Sequence, residues 1–156
     1  YKISSDDLFI KVLGHILRSG PLNVVGTKIN KIKEIKNLRP VVNQEQNQII
    51  GSVIYIDNYG NVITNITEKL FKEISKTRSF TINARNVKFT QIFKNYSDAI
   101  DFSLDQKDRE EDGKKIAIFN SLGYLQLSIY KSNPQTVGSA STLFGLNYRD
   151  PVSIYF

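Results

Sequence analysis

The sequence has 156 residues, enough for one domain with its own core, and its 40% hydrophobic and 23% charged residues are typical of a globular protein. It contains no cysteine, which excludes disulfide bonds, thiol catalysis and zinc–thiolate sites. The net charge is +6, but the lysines are scattered rather than clustered, so charge alone gives little reason to expect nucleic-acid binding.

The sequence has no hydrophobic run long enough for a membrane helix, and it opens on the polar segment YKISSDDLFIK rather than on a signal peptide. These features favour a cytoplasmic protein without a membrane partner. The single histidine, His15, cannot by itself form a multi-histidine metal site, so we predict no metal. Methionine is absent even at position 1, which favours a piece of a longer protein.

The N-terminal segment has the pattern of an amphipathic helix. Ser4 to Asp7 supply a capping serine and acidic residues that suit a helix N-terminus, and Gly20 and Pro21 end the pattern. We therefore predict a helix over residues 6–18, with one strongly apolar face that requires a packing partner. That face consists of Leu8, Phe9, Val12, Leu13, Ile16 and Leu17.

Residues 21–47 show no clear core pattern and are predicted to be a connector, with one strand near Ile29–Ile35. From Ile49 onward the pattern is that of β-strands. We predict strands over IIGSVIYI and NVITNI, then a short helix over TEKLFKEI that Thr67 caps. SFTINARNVKFTQIF predicts a hairpin with its turn at Asn83–Asn86.

The C-terminal half continues this pattern. The charge run DQKDREEDGKK predicts a solvated loop, and KIAIFNSLGYLQLSIY predicts two strands around Asn120–Gly123. TLFGL predicts a short helical turn, and DPVSIYF a closing strand. Short, closely spaced strands without long alternating helices predict a mainly β fold: a small antiparallel β-barrel domain preceded by one α-helix and a connector.

Two glycine-containing turns share one pattern. Residues 57–61 (DNYGN) and residues 120–124 (NSLGY) each place small polar side chains beside a glycine, between two apolar strands. Glycine lets a ligand approach the backbone, and asparagine offers a donor and an acceptor that match an adenine edge. Either turn taken alone is more often an ordinary hairpin turn whose side chains bond their own backbone.

The segment GSVIYIDNYGNVITNI, residues 51–66, is similar to the signature G-x-V-x-x-I-D-x-(F/Y)-G-N-x-x-T-N-I of the S-adenosyl-L-methionine hydroxide adenosyltransferases, which are relatives of fluorinase and chlorinase. FNSLGYLQLSI resembles the N-S-x-G-x-L-x-I element of that family, and NYSDA resembles its (Y/F)-(S/T)-D element. DDLFIKVLGHIL resembles the last helix of the family's N-terminal domain. The resemblance therefore runs over nearly the whole chain.

The resemblance implies an N-terminal α/β domain followed by a C-terminal β-barrel. Residues 1–20 would be the last helix of an N-terminal α/β domain that is missing here, residues 21–47 a connector, and residues 48–156 the C-terminal β-barrel domain. It also implies a homotrimer, in which the ligand lies between the C-terminal domain of one subunit and the N-terminal domain of its neighbour.

The activity implied is that of a hydrolase that converts S-adenosylmethionine and hydroxide to adenosine and L-methionine, with S-adenosylmethionine as substrate and no cofactor. By resemblance, Tyr59 and Tyr96 would stack on the two faces of adenine, and Asn61 would bond the adenine edge. Asp57 would hold the methionine ammonium group, and Ser121 would contact the amino-acid end. The residues that activate water belong to the N-terminal domain, so this chain would supply recognition and no catalytic residue.

Two positions depart from the halogenating enzymes: Leu122 stands where they carry arginine, and Ile63 where they carry tryptophan. Both differences favour the branch that uses hydroxide. Two alternatives from other classes stay open. One is a basic, oligonucleotide-binding-type barrel that holds single-stranded nucleic acid through Tyr59, Phe89 and Tyr124. The other is a structural barrel that drives oligomerisation.

Overall fold

The computed structural model describes residues 5–30, 38–109 and 113–156. It divides into two compact units, Tyr1–Lys36 and Asn37–Phe156.

The first unit contains the predicted N-terminal helix. Helix α1 spans Ser5–Leu17, with Asp6 and Asp7 in its first turn, where their charge complements the helix dipole. A short 3-10 helix follows at Leu22–Val24. The helix prediction is confirmed, and no residue of α1 is buried. The strand predicted near Ile29–Ile35 falls largely on residues 31–37, which lie outside the described residues.

Within its described residues, the second unit contains an eight-stranded sheet. Its strands are β1 (Val41–Val42), β2 (Gln48–Ile56), β3 (Val62–Thr67), β4 (Thr81–Ala84), β5 (Val87–Phe89), β6 (Lys115–Phe119), β7 (Tyr124–Ile129) and β8 (Pro151–Tyr155). Helix α2 spans Glu68–Ser75, helix α3 spans Ala140–Phe144, and a 3-10 helix spans Ser97–Ala99. The order across the sheet is β5-β4-β8-β2-β3-β7-β6, and β1 pairs with β2.

The strand pairings are antiparallel and the sheet curls into a nearly closed barrel, with β5 and β6 at the two ends of the strand order. Phe93, beyond β5, forms a parallel bridge to Ile118 of β6, and its N–H donates to the Ala117 carbonyl at 2.9 Å. This contact joins the segment beyond β5 to β6, so the two edge strands of the sheet are partly linked. The predicted mainly β fold, a small antiparallel barrel preceded by a helix, is therefore confirmed.

Strand β7 is buried on both faces. Leu125 and Leu127 point into the main core, and both are fully buried. Gln126 and Ser128 lie on the opposite face and are also buried. That face is covered by a second, smaller cluster that includes Tyr96. β7 thus joins the barrel interior to a polar layer on the outer face of the sheet.

The predicted helix over residues 67–74 is confirmed as α2. Thr67 caps this helix as predicted, since its hydroxyl accepts the Leu70 N–H at 3.2 Å. The predicted hairpin is confirmed as β4–β5, with Ala84 opposite Val87 and a two-residue turn at Arg85–Asn86. The charge run is partly described: residues 110–112 lie outside the described residues, and β6 begins at its last lysine.

Candidate functional site: two matched turns

The first turn, residues 57–61, joins β2 to β3 and is closed by hydrogen bonds to Asp57. The Asp57 N–H donates to the Asn61 carbonyl at 3.1 Å, and the Asp57 carbonyl accepts the Gly60 N–H at 2.9 Å. Oδ1 of Asp57 accepts the N–H groups of Tyr59 and Asn61, both at 2.9 Å. Oδ2 accepts from Nδ2 of Asn61 at 2.8 Å. Asp57 therefore bonds its own turn, as the hairpin interpretation predicts.

The second turn, residues 120–124, joins β6 to β7 and repeats this backbone geometry. The Asn120 N–H donates to the Tyr124 carbonyl at 3.0 Å, and the Asn120 carbonyl accepts the Gly123 N–H at 2.8 Å. Oδ1 of Asn120 accepts the N–H groups of Leu122 at 3.0 Å and Tyr124 at 3.1 Å. The two turns differ in that a carboxylate caps the first and a carboxamide caps the second.

The register of the sheet places the two turns at opposite ends of β3 and β7. Val62, next to the first turn, pairs with Leu127, whereas Thr67, at the far end of β3, pairs with Tyr124 of the second turn. Along β7 this separation is the three residues from Leu127 to Tyr124, about 10 Å at the usual strand rise, because the register of β3 shifts between Ile63 and Thr67. Ser121 is exposed in the second turn. Ser121 therefore lies at the end of β7 opposite to the first turn, and its contact with the amino-acid end of the ligand stays a prediction.

Tyr96 lies over the outer face of β7. Its hydroxyl is 2.9 Å from the Ser128 hydroxyl and accepts from Nε2 of Gln126 at 2.6 Å. Gln126 pairs with Ile63 of β3. Gln126 also pairs with Ile118 of β6, and Tyr96 packs against the cluster that contains Ile118, so Tyr96 lies over β6 and β7. Sequence reasoning missed Gln126 and Ser128, although two polar residues at alternating positions of an apolar strand signal a second, polar contact face.

The aromatic residue of the first turn points away from the barrel. Tyr59 is 74% exposed at the tip of the turn, as is Leu122, at 79%, at the equivalent position of the second turn. Asn61 is half-buried. The first turn thus presents an exposed ring beside an amide that the Asp57 carboxylate holds in place.

The N-terminus of helix α3 supports the first turn from behind. The Gly60 carbonyl accepts the Ser141 N–H at 2.9 Å, and a Cβ added to Gly60 would overlap the side chain of Ser139. Ser139 is buried, and it caps α3 in a capping box with Thr142. Sequence reasoning missed this contact. The Ser139-x-x-Thr142 spacing signals a helix start, but nothing local shows what that start contacts.

Two grooves on the barrel contain no residue of the first turn. One, of about 520 Å³, is lined by Phe71, Phe80 and Phe119 among others, near the second turn. The other, of about 1090 Å³, lies between the β5 and β6 edges and includes Lys88 and Lys115. Tyr59, at the tip of the first turn, is exposed and belongs to neither groove, so a ligand stacked on its ring needs a second surface to enclose it.

Several structural facts bear on other classes of function. Phe89 is 4% exposed and packs edge-on against Phe144, so it cannot join Tyr59 and Tyr124 in a stacking platform for single-stranded nucleic acid.

In the described part of the chain, no group of three or more histidine or acidic residues is placed to hold a metal ion. None of the helices in residues 5–30, 38–109 and 113–156 has the length and hydrophobicity to cross a membrane.

The fold and the first turn define the class: a small antiparallel β-barrel domain with a signature hairpin at one end. A family model described as "SAM hydroxide adenosyltransferase C-terminal domain" matches residues 51–153, about two thirds of the chain. The chain therefore belongs to the SAM hydroxide adenosyltransferase C-terminal domain family.

Two solved structures have a similar fold. An uncharacterized conserved protein from Thermotoga maritima is 24% identical with a TM-score of 0.59, and the match covers 93% of this chain and 49% of that one. A conserved hypothetical protein from Thermus thermophilus is 14% identical with a TM-score of 0.50, over 90% and 48%. The chain thus spans about half the length of these structures. No curated protein matches the sequence significantly.

Proposed function

We propose that this chain is the substrate-recognition domain of an S-adenosylmethionine hydrolase, which converts S-adenosylmethionine and hydroxide to adenosine and L-methionine. The observation that carries the proposal is the first turn. The family signature folds into a hairpin whose backbone is closed internally and supported by α3, while the ring of Tyr59 stays exposed. S-adenosylmethionine is the substrate, and no separate cofactor is required.

Three side chains of the first turn suit this ligand. Stacking of Tyr59 on adenine contributes about 1–3 kcal/mol. Asn61 bonds the adenine edge through its amide. The Asp57 carboxylate accepts three hydrogen bonds within the turn. Because a carboxylate offers about four acceptor positions, one remains for the methionine ammonium group.

The other two predicted residues differ in their support. Tyr96 lies over β6 and β7, where its hydroxyl is held by Gln126 and Ser128. It stays in the proposed site as the second wall for the base. Ser121 lies about 10 Å of strand away from the first turn, and it stays in the proposal as the contact for the amino-acid end of an extended ligand.

The open surface of the first turn implies a partner. In the proposal, the N-terminal domain of a neighbouring subunit in a homotrimer covers the bound substrate and supplies the residues that activate water. Two observations support this step: the first turn lines neither groove of the barrel, and the chain spans about half the length of the similar structures.

The matched turns provide the test, in the complete protein that carries this chain. Tyr59→Ala should weaken adenosine binding roughly tenfold, in line with the loss of one stacking ring, and should lower kcat/KM for S-adenosylmethionine. Leu122→Ala removes an equally exposed side chain from the equivalent position of the second turn, and should change neither quantity. Calorimetric titration measures binding, and chromatography of released adenosine measures turnover.

Equal effects of the two substitutions would contradict the proposed site. Failure of the complete wild-type protein to bind adenosine or to release it from S-adenosylmethionine would contradict the proposed function. Urea unfolding of both variants serves as the control for folding, since neither exposed side chain contributes to the core.

A further inference from the structure

We propose that Asp57 is a positioning residue: it fixes the orientation of the Asn61 side-chain amide and thereby makes the first turn select a 6-aminopurine over a 6-oxopurine. This inference rests on the proposed function, because it names the class of base that the same site recognises.

The hydrogen-bonding character of a carboxylate fixes the orientation of the Asn61 amide. An ionised carboxylate only accepts hydrogen bonds, so Oδ2 of Asp57, 2.8 Å from the Asn61 side chain, must face its nitrogen and not its oxygen. Asp57 cannot turn away to relax this choice, because its Oδ1 accepts the Tyr59 and Asn61 backbone N–H groups. The turn therefore fixes the Asn61 amide with its nitrogen toward Asp57 and its oxygen away from Asp57.

The free groups of Asn61 then decide which base fits. One N–H of the amide is used by Asp57, which leaves the carbonyl oxygen and one N–H. That oxygen accepts no hydrogen bond from the described residues, so it is available to a ligand. A 6-aminopurine offers an amino donor beside a ring-nitrogen acceptor, which complements this pair. A 6-oxopurine offers a carbonyl at the same place, where it would meet the Asn61 oxygen.

The second turn shows what a carboxamide does at the equivalent position. Oδ1 of Asn120 must accept the backbone N–H groups of Leu122 and Tyr124, so its Nδ2 points outward, to Oε1 of Gln126 at 3.4 Å. The amide nitrogen of Gln126 consequently faces away, toward the Tyr96 hydroxyl at 2.6 Å. The Gln126 amide therefore has its oxygen toward Asn120, whereas the Asn61 amide has its nitrogen toward Asp57.

This comparison predicts the effect of Asp57→Asn. The new carboxamide must keep its oxygen on the two backbone N–H groups and present its nitrogen to Asn61, as Asn120 does to Gln126. The Asn61 amide then turns its oxygen toward position 57 and leaves its nitrogen free for a ligand. The second turn also shows that asparagine is compatible with this backbone, so the variant should fold.

The test compares adenosine with inosine by calorimetric titration of the complete protein. The wild type should bind adenosine more tightly than inosine by roughly tenfold to a hundredfold, the size of one well-formed amide–base pair. In Asp57→Asn this ratio should fall by roughly tenfold or more. Asp150→Asn is the matched control: it makes the same charge change at another capping aspartate, which accepts the Asn147 N–H at 2.8 Å, and should leave the ratio unchanged.

A second measurement needs no ligand. In NMR spectra of the wild-type chain, a side-chain amide hydrogen of Asn61 should be protected from exchange relative to exposed Asn58, and Asp57→Asn should abolish that protection. Unchanged protection, equal weakening of both nucleosides, or weaker binding of S-adenosylmethionine alone would overturn the positioning role. If the protection behaves as expected but the wild type binds no nucleoside, the proposed function fails while the positioning of Asn61 stands.

Discussion

Two residues of the signature, Gly51 and Asn65, support the barrel rather than the candidate site. Oδ1 of Asn65 accepts the Ser52 N–H at 2.8 Å, and its Nδ2 donates to the Leu38 carbonyl at 2.6 Å. A Cβ on Gly51 would overlap the Ile66 side chain. These contacts join neighbouring segments just beyond Val53 and Thr64, the last pair of the β2–β3 ladder. A single stretch of sequence therefore carries both a structural joint and the exposed turn that we propose as the recognition site.

The glycines of the two turns provide a matched pair for substitution. Gly60 and Gly123 have φ angles of +74° and +77°, so alanine at either position costs about 1–2 kcal/mol of backbone strain. At Gly60 a Cβ would also overlap Ser139, whereas at Gly123 it meets nothing within 4 Å. We expect Gly60→Ala to reduce the free energy of unfolding by about 1–3 kcal/mol more than Gly123→Ala, as overpacking does.

Urea unfolding of the two variants measures this difference directly, because the shared strain cancels. If both variants lose the same stability, the first turn does not pack tightly against the start of α3. In that case the support for the first turn would come from its internal hydrogen bonds alone.

Helix α2 illustrates how a local signal fixes an element. The Thr67 hydroxyl accepts the Leu70 N–H at 3.2 Å, and α2 packs Ile74 into the main core. Thr67→Ala should lower the free energy of unfolding by about 1 kcal/mol, the usual cost of losing an N-cap. Thr136→Ala, at an exposed threonine outside the helices, is the control. A loss no larger than that of the control in urea unfolding would show that the cap does not stabilise α2.

The elements that sequence predicted best are those with strong local signals, such as α1, with its acidic first turn, and the β4–β5 hairpin. Strand β1 has no local signal, because two valines in a polar segment show no periodicity, and the sequence places them in the connector. The pairing of these valines with Ile49 and Ile50 is what makes them a strand. The register of β3 on β7 is likewise non-local, so no local signal shows that Ser121 lies at the far end of β3 from the first turn.

The barrel carries its own hydrophobic core. The buried hydrophobic residues of the main cluster run from Ile49 to Ile154, and the partly buried residues packed against them run from Val42 to Phe156. None of them lies among the described residues of the first unit. The hydrophobic free energy that stabilises the barrel therefore comes from within the second unit.

This arrangement predicts the result of truncation. A chain that begins at residue 37 should keep the urea midpoint and the slope of the barrel transition, because the same apolar surface is exposed on unfolding. A chain that begins at residue 48 should lose about 1–3 kcal/mol, since it lacks β1 and the Leu38 carbonyl that binds Asn65, and a net hydrogen bond contributes about 1 kcal/mol. A lower midpoint for the first truncation would show that residues 1–36 stabilise the barrel, whereas equal midpoints for both truncations would show that β1 does not.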